Sequence, residues 1–375
     1  MRIAHVVTFV SKDGAFGGPT TVALAQAKAL VERGHEVTLF GGAPASEADE
    51  SVRNGVRVRL FPVRRIAPFG GFATIWPVGL RNVLRREARS FDVAHLHLAR
   101  DLVTLPAARV LANRGVPYLI QAHGMVDKSN RLSAKGLDVA VTKRALVDAS
   151  AWLVLTAEEQ REMTVLARPR RVVPIVNGVE SRVIPNPEGR EKLVLFLARL
   201  HPRKRPLAFV QMAQLLRDRL PDTRFELIGP DEGEGPAVQN AIADSGMADR
   251  ISWSGPMPPH AAAMAFERAG AYVLPAVNEV FPMSILEAFV GGAPVVTTDS
   301  LGIAEACRRF GAALVTNGDP ARLADAVERV ISDSRLSASL RDGALRYVRD
   351  ELSIERVAET LSTEYARAIE ATAHA

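Results

Sequence analysis

The chain has 375 residues, a net charge of +5 and a single cysteine, Cys307. That length exceeds one typical domain and suits two. One thiol excludes a disulfide framework or a cysteine-ligated zinc site and fits a reducing, cytoplasmic setting. Apolar residues make up 47% and aromatics only 6%, a core of Ala, Val and Leu that suits α/β layers better than a β-sandwich. The opening MRIAHVV is too short an apolar run for a signal peptide. No stretch of about 18 uncharged apolar residues follows, so no membrane-spanning segment is expected.

In chain order, RIAHVVTFV predicts a strand, SKDGAFGGP a loop and TTVALAQAKALVERG a helix ended by Gly34, with HEVTLF as the next strand. Pro19 suits the first helical turn, where its missing N–H costs nothing. This is a βαβ unit, hence a parallel sheet with right-handed crossovers. Further strands are predicted at VRVRLF, DVAHLH, PYLIQAH and WLVLT. A second series follows at KLVLFLARL, RFELIG, ISWSG, AYVLPA, APVVTT and AALVT, with helical patterns between most of them. The junction NGVESRVIPNPEGREK, rich in Pro, Gly and polar residues, reads as a linker. The expectation is two doubly wound α/β domains, 1–187 and 188–352, facing across a cleft. A last helix, 353–375, carries Ile354, Val357, Leu361, Tyr365 and Ile369 on one stripe and should pack back on a neighbour, the N-terminal domain.

Ligands of open α/β sheets bind beyond the carboxyl ends of the strands, so residues just after strands carry the chemistry. Gly17 and Gly18 permit close backbone approach before a helix N-terminus and suit a phosphate or a sugar hydroxyl; a plain tight turn is the alternative. The loop is neither G-x-G-x-x-G nor a P-loop. His123-Gly124 ends a strand on the ligand side, although a lone histidine is more often structural. His95 and His97 are read as alternating faces of their strand, so that at least one is only packed. Arg199 ends a strand and Lys204 follows in the next loop; two cations there would neutralise a diphosphate without metal, unless the loop is simply solvated. Glu279 lies in the loop after AYVLPA. The amides of Met283, Ser284 and Ile285 open the next helix and would point at an anion. Glu287, a turn inside, would accept two hydrogen bonds from a ribose diol. First-turn acids complementing the helix dipole are the alternative, which explains Glu287 poorly.

These segments resemble the retaining, nucleotide-sugar-dependent glycosyltransferases of the GT-B fold, family 4, over nearly the whole chain. EVFPMSILEAFVGGAPVV is similar to that family's Glu, seven residues, Glu, then Gly-x-Pro-Val. PIVNGVE resembles its Pro-x-x-Asn-Gly-Val segment, ARLHPRKRP its Gly-Arg-Leu…Lys-Gly segment and LGIAEACRR its Gly-x-x-Glu segment. GGPTTVALAQAKALVERGHEVTLF and HGMVD are similar to its glycine loop and histidine-glycine step. The resemblance implies two Rossmann-like domains, the N-terminal binding acceptor and the C-terminal binding nucleotide sugar. It implies Arg199 and Lys204 on the donor diphosphate, Glu287 on the ribose and Glu279 on the transferred sugar. His123 would sit beside the reacting centre, and Gly17 and Gly18 would close over the diphosphate. Three residues depart from the pattern: Ala198, Arg205 and Pro282 each stand where the family prefers glycine.

The implied activity moves a sugar from a UDP- or GDP-linked donor to an acceptor hydroxyl, in polysaccharide or glycolipid assembly. Retention would follow from same-face attack, with the departing phosphate taking the acceptor's proton. No metal and no cofactor beyond the donor are expected, since no Asp-x-Asp motif stands near the cleft. Between Ser51 and Arg100 ten arginines face two acids, Glu87 and Asp92. Within 64–89, Phe69, Phe72, Ile75 and Trp76 mix with Arg81, Arg85, Arg86 and Arg89. That mixture suits an anionic membrane surface and a lipid-linked sugar acceptor; a packed helix with a solvated side is the alternative. The rivals are a GT-B nucleotide-sugar 2-epimerase, a nicotinamide dehydrogenase, for which the glycine spacing is wrong, and a non-catalytic sugar-nucleotide-binding protein. Nucleic acid is not expected, for want of a recognition motif.

Overall fold

A computed structural model describes residues 1–11, 17–66, 71–126, 141–180 and 190–374. The loop at 12–16, Phe69, Asp127 and the linker with the expected boundary at 187 lie outside the described residues, as do the side chains of Gly71, Phe72 and Pro259. The chain divides into two compact units, Met1–Gly178 with Ile354–Ala375, and Val179–Ser353.

The described residues of the first unit hold a nine-stranded sheet. Its strands are β1 (Arg2–Phe9), β2 (Glu36–Ala43), β3 (Glu50–Arg53), β4 (Val56–Arg65), β5 (Ile75–Pro77), β6 (Val93–His97), β7 (Tyr118–Gln121), β8 (Ala151–Val154) and β9 (Val172–Pro174). The order is β3-β4-β2-β1-β6-β7-β8-β9, with β5 on β4. β3 and β5 run antiparallel to β4, and the other pairs are parallel. Strands covered on both faces need continuous apolar runs. Accordingly Ile3, Ala4, Val6, Ala94 and Leu96 are fully buried in two core clusters.

The C-terminal helix Ile354–Ala373 belongs to this unit and buries Ile354, Val357, Leu361 and Tyr365 in one of those clusters. Its approach explains the glycine of the Asn-Gly-Val segment: a Cβ on Gly178 would lie 2.7 Å from Cα of Ile354 and 2.6 Å from its Cδ1.

The helix Leu80–Glu87 turns Leu80, Val83 and Leu84 into the core, while Arg81, Arg85 and Arg86 face solvent. Ile75 is buried and Trp76 half-buried. Ile75, on β5, is therefore spent on internal packing. Among the described residues no helix is long and apolar enough to cross a membrane.

The described residues of the second unit hold a parallel six-stranded sheet, with β10 (Glu191–Leu197), β11 (Arg224–Ile228), β12 (Ile251–Trp253), β13 (Ala269–Leu274), β14 (Val295–Thr298) and β15 (Ala313–Thr316) in the order β12-β11-β10-β13-β14-β15. The order reverses between β10 and β13. The loops leaving the carboxyl ends of those two strands therefore flank the crevice where such sheets bind ligands.

Candidate active site

The loop after β10 and the loop after β13 are joined at the switch point. Val277 N donates to the Arg203 carbonyl at 2.8 Å, and the Arg203 guanidinium donates to the carbonyl of Asn278. Within this frame Lys204 Nζ lies 2.7 Å from Glu279 Oε2, with side chains 12% and 22% exposed. Desolvation pulls the Lys204 ammonium below its ordinary pKa, Glu279 opposes that, and the charges of Arg199 and Arg203 add to the lowering. The lysine thus sits in a patch of positive charge with one carboxylate against it. The Glu279 carbonyl accepts from Gly302 N at 2.9 Å, which ties the Gly-x-x-Glu segment to the same loop.

Arg199 is half exposed, and its Nη1 lies 2.8 Å from both oxygens of Glu232. Glu232 rides on a loop stiffened by Asp231, whose Oδ1 accepts from Gly233 N and Gly235 N at 2.8 Å. Gly229, with φ +148, is demanded by this packing, since a Cβ would lie 2.0 Å from the Ala198 carbonyl oxygen.

Arg205 replaces glycine where the backbone turns left-handed, at φ 53. Only glycine adopts that region without cost. Arg205 offsets it by donating from Nη1 to the Gly318 carbonyl at 2.9 Å.

The helix Met283–Val290 starts where the sequence places it, with Pro282 as its cap. Ile285 N is already committed to the Pro282 carbonyl at 3.1 Å, so Met283 and Ser284 alone carry the amides that precede the first turn's bonds, a correction to the expected trio. Ser284 Oγ accepts from the Tyr272 hydroxyl at 2.7 Å. Burial raises the Tyr272 phenol, and the charges of Glu287 and Glu279 raise it further, so both carboxylates bear on the end of β13. Glu287 is open to solvent on its helix, while protein around the carboxyl desolvates it and lifts its pKa to about 7. The exposure carries more weight, because water at an open carboxylate screens such an effect.

In the first unit Gly17 and Gly18 open the helix Gly17–Glu32, and nothing lies within 4 Å of a Cβ built on Gly18. Among the described residues no packing constraint accounts for glycine there. His123 and Gly124 form a tight turn in which Met125 N donates to the Ala122 carbonyl at 2.8 Å, with φ 53 and 71. Two positive φ values make it a type I′ turn, which explains the His-Gly pair, since histidine is among the residues that tolerate that region. Glu159, 1% exposed, holds the turn through Gly124 N at 2.7 Å and Leu155 N at 2.7 Å. Its only sequence signal is its place three residues after the helix cap Thr156.

His95 and His97 do not face opposite sides. Residues two apart in a strand share a face, and their rings stack at 4.4 Å and 17°. Both are buried, and His97 Nδ1 lies 2.9 Å from His123 Nε2. Desolvation lowers the pKa of His123 to about 3.

Residues 17–178 match the family profile described as glycosyl transferase 4-like domain, and residues 180–346 the one described as glycosyl transferases group 1. The chain belongs to the GT-B glycosyltransferases of family 4. A D-inositol 3-phosphate glycosyltransferase of Stackebrandtia nassauensis is 27% identical over 372 residues, covering 88% of this chain and 83% of the relative. Two GT-B structures share the fold. Sucrose-phosphate synthase from Thermosynechococcus elongatus has a TM-score of 0.71 at 18% identity, over 99% of both chains. HepE from Anabaena, solved with UDP and glucose, has a TM-score of 0.73 at 16% identity, over 97% of this chain and 99% of its own. This GT-B chain is thereby a glycosyltransferase with two Rossmann-like domains.

Proposed function

We propose that the protein is a metal-independent, retaining hexosyltransferase that moves a sugar from a UDP- or GDP-sugar to an acceptor hydroxyl in polysaccharide or glycolipid assembly. The observation that carries this reading is the paired Lys204 and Glu279 at the switch point, with Arg199 and Arg203 adding positive charge. Breaking the anomeric bond puts charge on the leaving diphosphate. Arg199, Lys204 and the amides of Met283 and Ser284 are the groups proposed to stabilise it as it develops. Glu287 is proposed on the ribose diol and Glu279 on the hydroxyls of the transferred sugar. Gly17 and Gly18 are proposed over the diphosphate and His123 beside the reacting centre. Two fixed cations supply the charge that a divalent ion would otherwise bring. The UDP bound in the HepE structure supports a uridine donor as the first to assay. The acceptor named for the curated relatives makes a cyclitol phosphate the one to try beside sugars and lipid-linked sugars. The exposed arginines of 64–89 support a cytoplasmic enzyme working at an anionic membrane face.

The test is thermal unfolding in excess EDTA with UDP, GDP, ADP or NAD, on wild type and Glu287→Ala, followed by product analysis. Ligand at 100 times its Kd adds about 2.7 kcal/mol to the folded state. A shift with UDP or GDP that the variant loses, and sugar transferred with its anomeric configuration kept, are the expected results. No response to either nucleotide, or an altered donor with no transfer, defeats the reading.

A further inference from the structure

Four histidines and one tyrosine of the first unit form a single hydrogen-bonded file. It runs from His123 Nε2 to His97 Nδ1 at 2.9 Å, and from His97 Nε2 to His5 Nδ1 at 3.4 Å. It continues from His5 Nε2 to the Tyr365 hydroxyl at 3.3 Å, and from that hydroxyl to His95 Nδ1 at 2.7 Å. His5, His95 and Tyr365 are 0% exposed and His97 is 1% exposed. The register of the sheet builds the file, because β1 and β6 put His5 directly beside His95 and His97 is two residues further along β6. Tyr365 arrives from the far end of the sequence on the C-terminal helix.

Desolvation lowers the pKa of all four rings, so each is neutral at pH 7. A neutral imidazole has one N–H and one lone pair, and a phenol one O–H. A ring that accepts at one nitrogen must therefore donate at the other, and the choice passes down the file from member to member. The tautomer of a histidine is set by the hydrogen bond its other nitrogen makes. Here that bond leads through two more rings to a hydroxyl on a different element.

We infer that the tautomer of His123 is set by this buried file and anchored by Tyr365, which makes His97, His5 and Tyr365 positioning residues for His123. The inference rests on His123 lying beside the reacting centre only for its effect on catalysis. Nitrogens of His5, His95 and His97 also lie within 4.8 Å of one another, a spacing that suits metal ligands. Five of their six ring nitrogens serve the file, and His95 Nε2 is buried without a partner among the described residues.

Tyr365→Phe removes the hydroxyl and keeps the packing, and His97→Asn keeps a partner near His123 while cutting the link to His5. In the full chain labelled with 15N-histidine, wild-type His123 should show the shifts of one tautomer. Both variants should show averaged shifts, with kcat down roughly tenfold and donor KM within about twofold. Unchanged His123 shifts in both variants overturn the inference, as does stoichiometric metal in the purified protein. Averaged shifts with unaltered turnover uphold the file and instead remove His123 from the reaction. If both variants fail to fold, a wild-type spectrum with His123 already averaged between tautomers overturns it.

Discussion

The ammonium of Lys204 lies 2.7 Å from the carboxylate of Glu279, across the reversal in strand order of the C-terminal sheet. The sequence separates them by 75 residues, and the proposed function gives them different partners, diphosphate for one and sugar for the other. The pair makes those assignments interdependent. A donor that draws Lys204 to its phosphates releases Glu279 for a sugar hydroxyl, and each can be removed alone.

Lys204→Met should lower kcat by about 10²–10³, the loss of one charge-stabilising group, and weaken UDP. Glu279→Gln should lower turnover while leaving UDP affinity equal or higher, because the lysine is freed. Calorimetric titration with UDP beside steady-state kinetics separates the two. Equal loss of UDP affinity in both variants would mean that the pair acts only as a structural strut.

Arg205 holds a left-handed backbone that its Gly318 bond offsets. Arg205→Gly removes strain and a hydrogen bond together, each about 1 kcal/mol, and should be near neutral. Arg205→Ala keeps the strain and loses the bond, so it should unfold about 1 kcal/mol below the glycine variant. Urea denaturation ranks them, and alanine equal to glycine would show an unstrained turn.

Glu159 satisfies two amides, Gly124 N and Leu155 N. Glu159→Gln offers one carbonyl oxygen and should strand one of them, at about 1–3 kcal/mol. Glu159→Ala strands both and should cost roughly twice as much. Hydrogen exchange should rise at one of Gly124 and Leu155 in the glutamine variant and at both in the alanine variant, and both amides as protected as in wild type would show that the turn holds without the carboxylate.

Acid should destabilise the first unit. His5 has a folded pKa of about 3 against 6.5 for an unperturbed ring. Below 6.5 the unfolded chain takes up the proton first, so the stability present above that pH is lost as pH falls towards 3. His5 alone gives about 1.4 kcal/mol per pH unit across that window, and His95 and His97 act in the same direction. Asp101 and Glu159, buried carboxyls with raised pKa values, work the other way. Urea midpoints at pH 5 and pH 7.5 should differ, and His5→Gln should narrow the gap; a midpoint higher at pH 5 would show the carboxyls winning.

Much of this protein is legible residue by residue because its rules are local. Period-two and continuous apolar runs mark the strands, Gly34 and Pro282 mark helix ends, and the stripe from Ile354 to Ile369 marks a helix that must dock. The spacing of Glu279 and Glu287 likewise follows from one loop and one helical turn. What tertiary structure alone decided is which polar groups meet. Lys204 reaches Glu279 because β10 and β13 are neighbours although two strands separate them in sequence. Tyr365 joins the histidines because its helix crosses back to the first sheet, and Glu159 finds the His123 turn from the helix Ala157–Leu166, beyond β8. Apolar patterning fixes which face of an element is buried, since that depends on area. A hydrogen bond depends on register and direction to within a few tenths of an ångström, and those are settled only when the sheet is assembled.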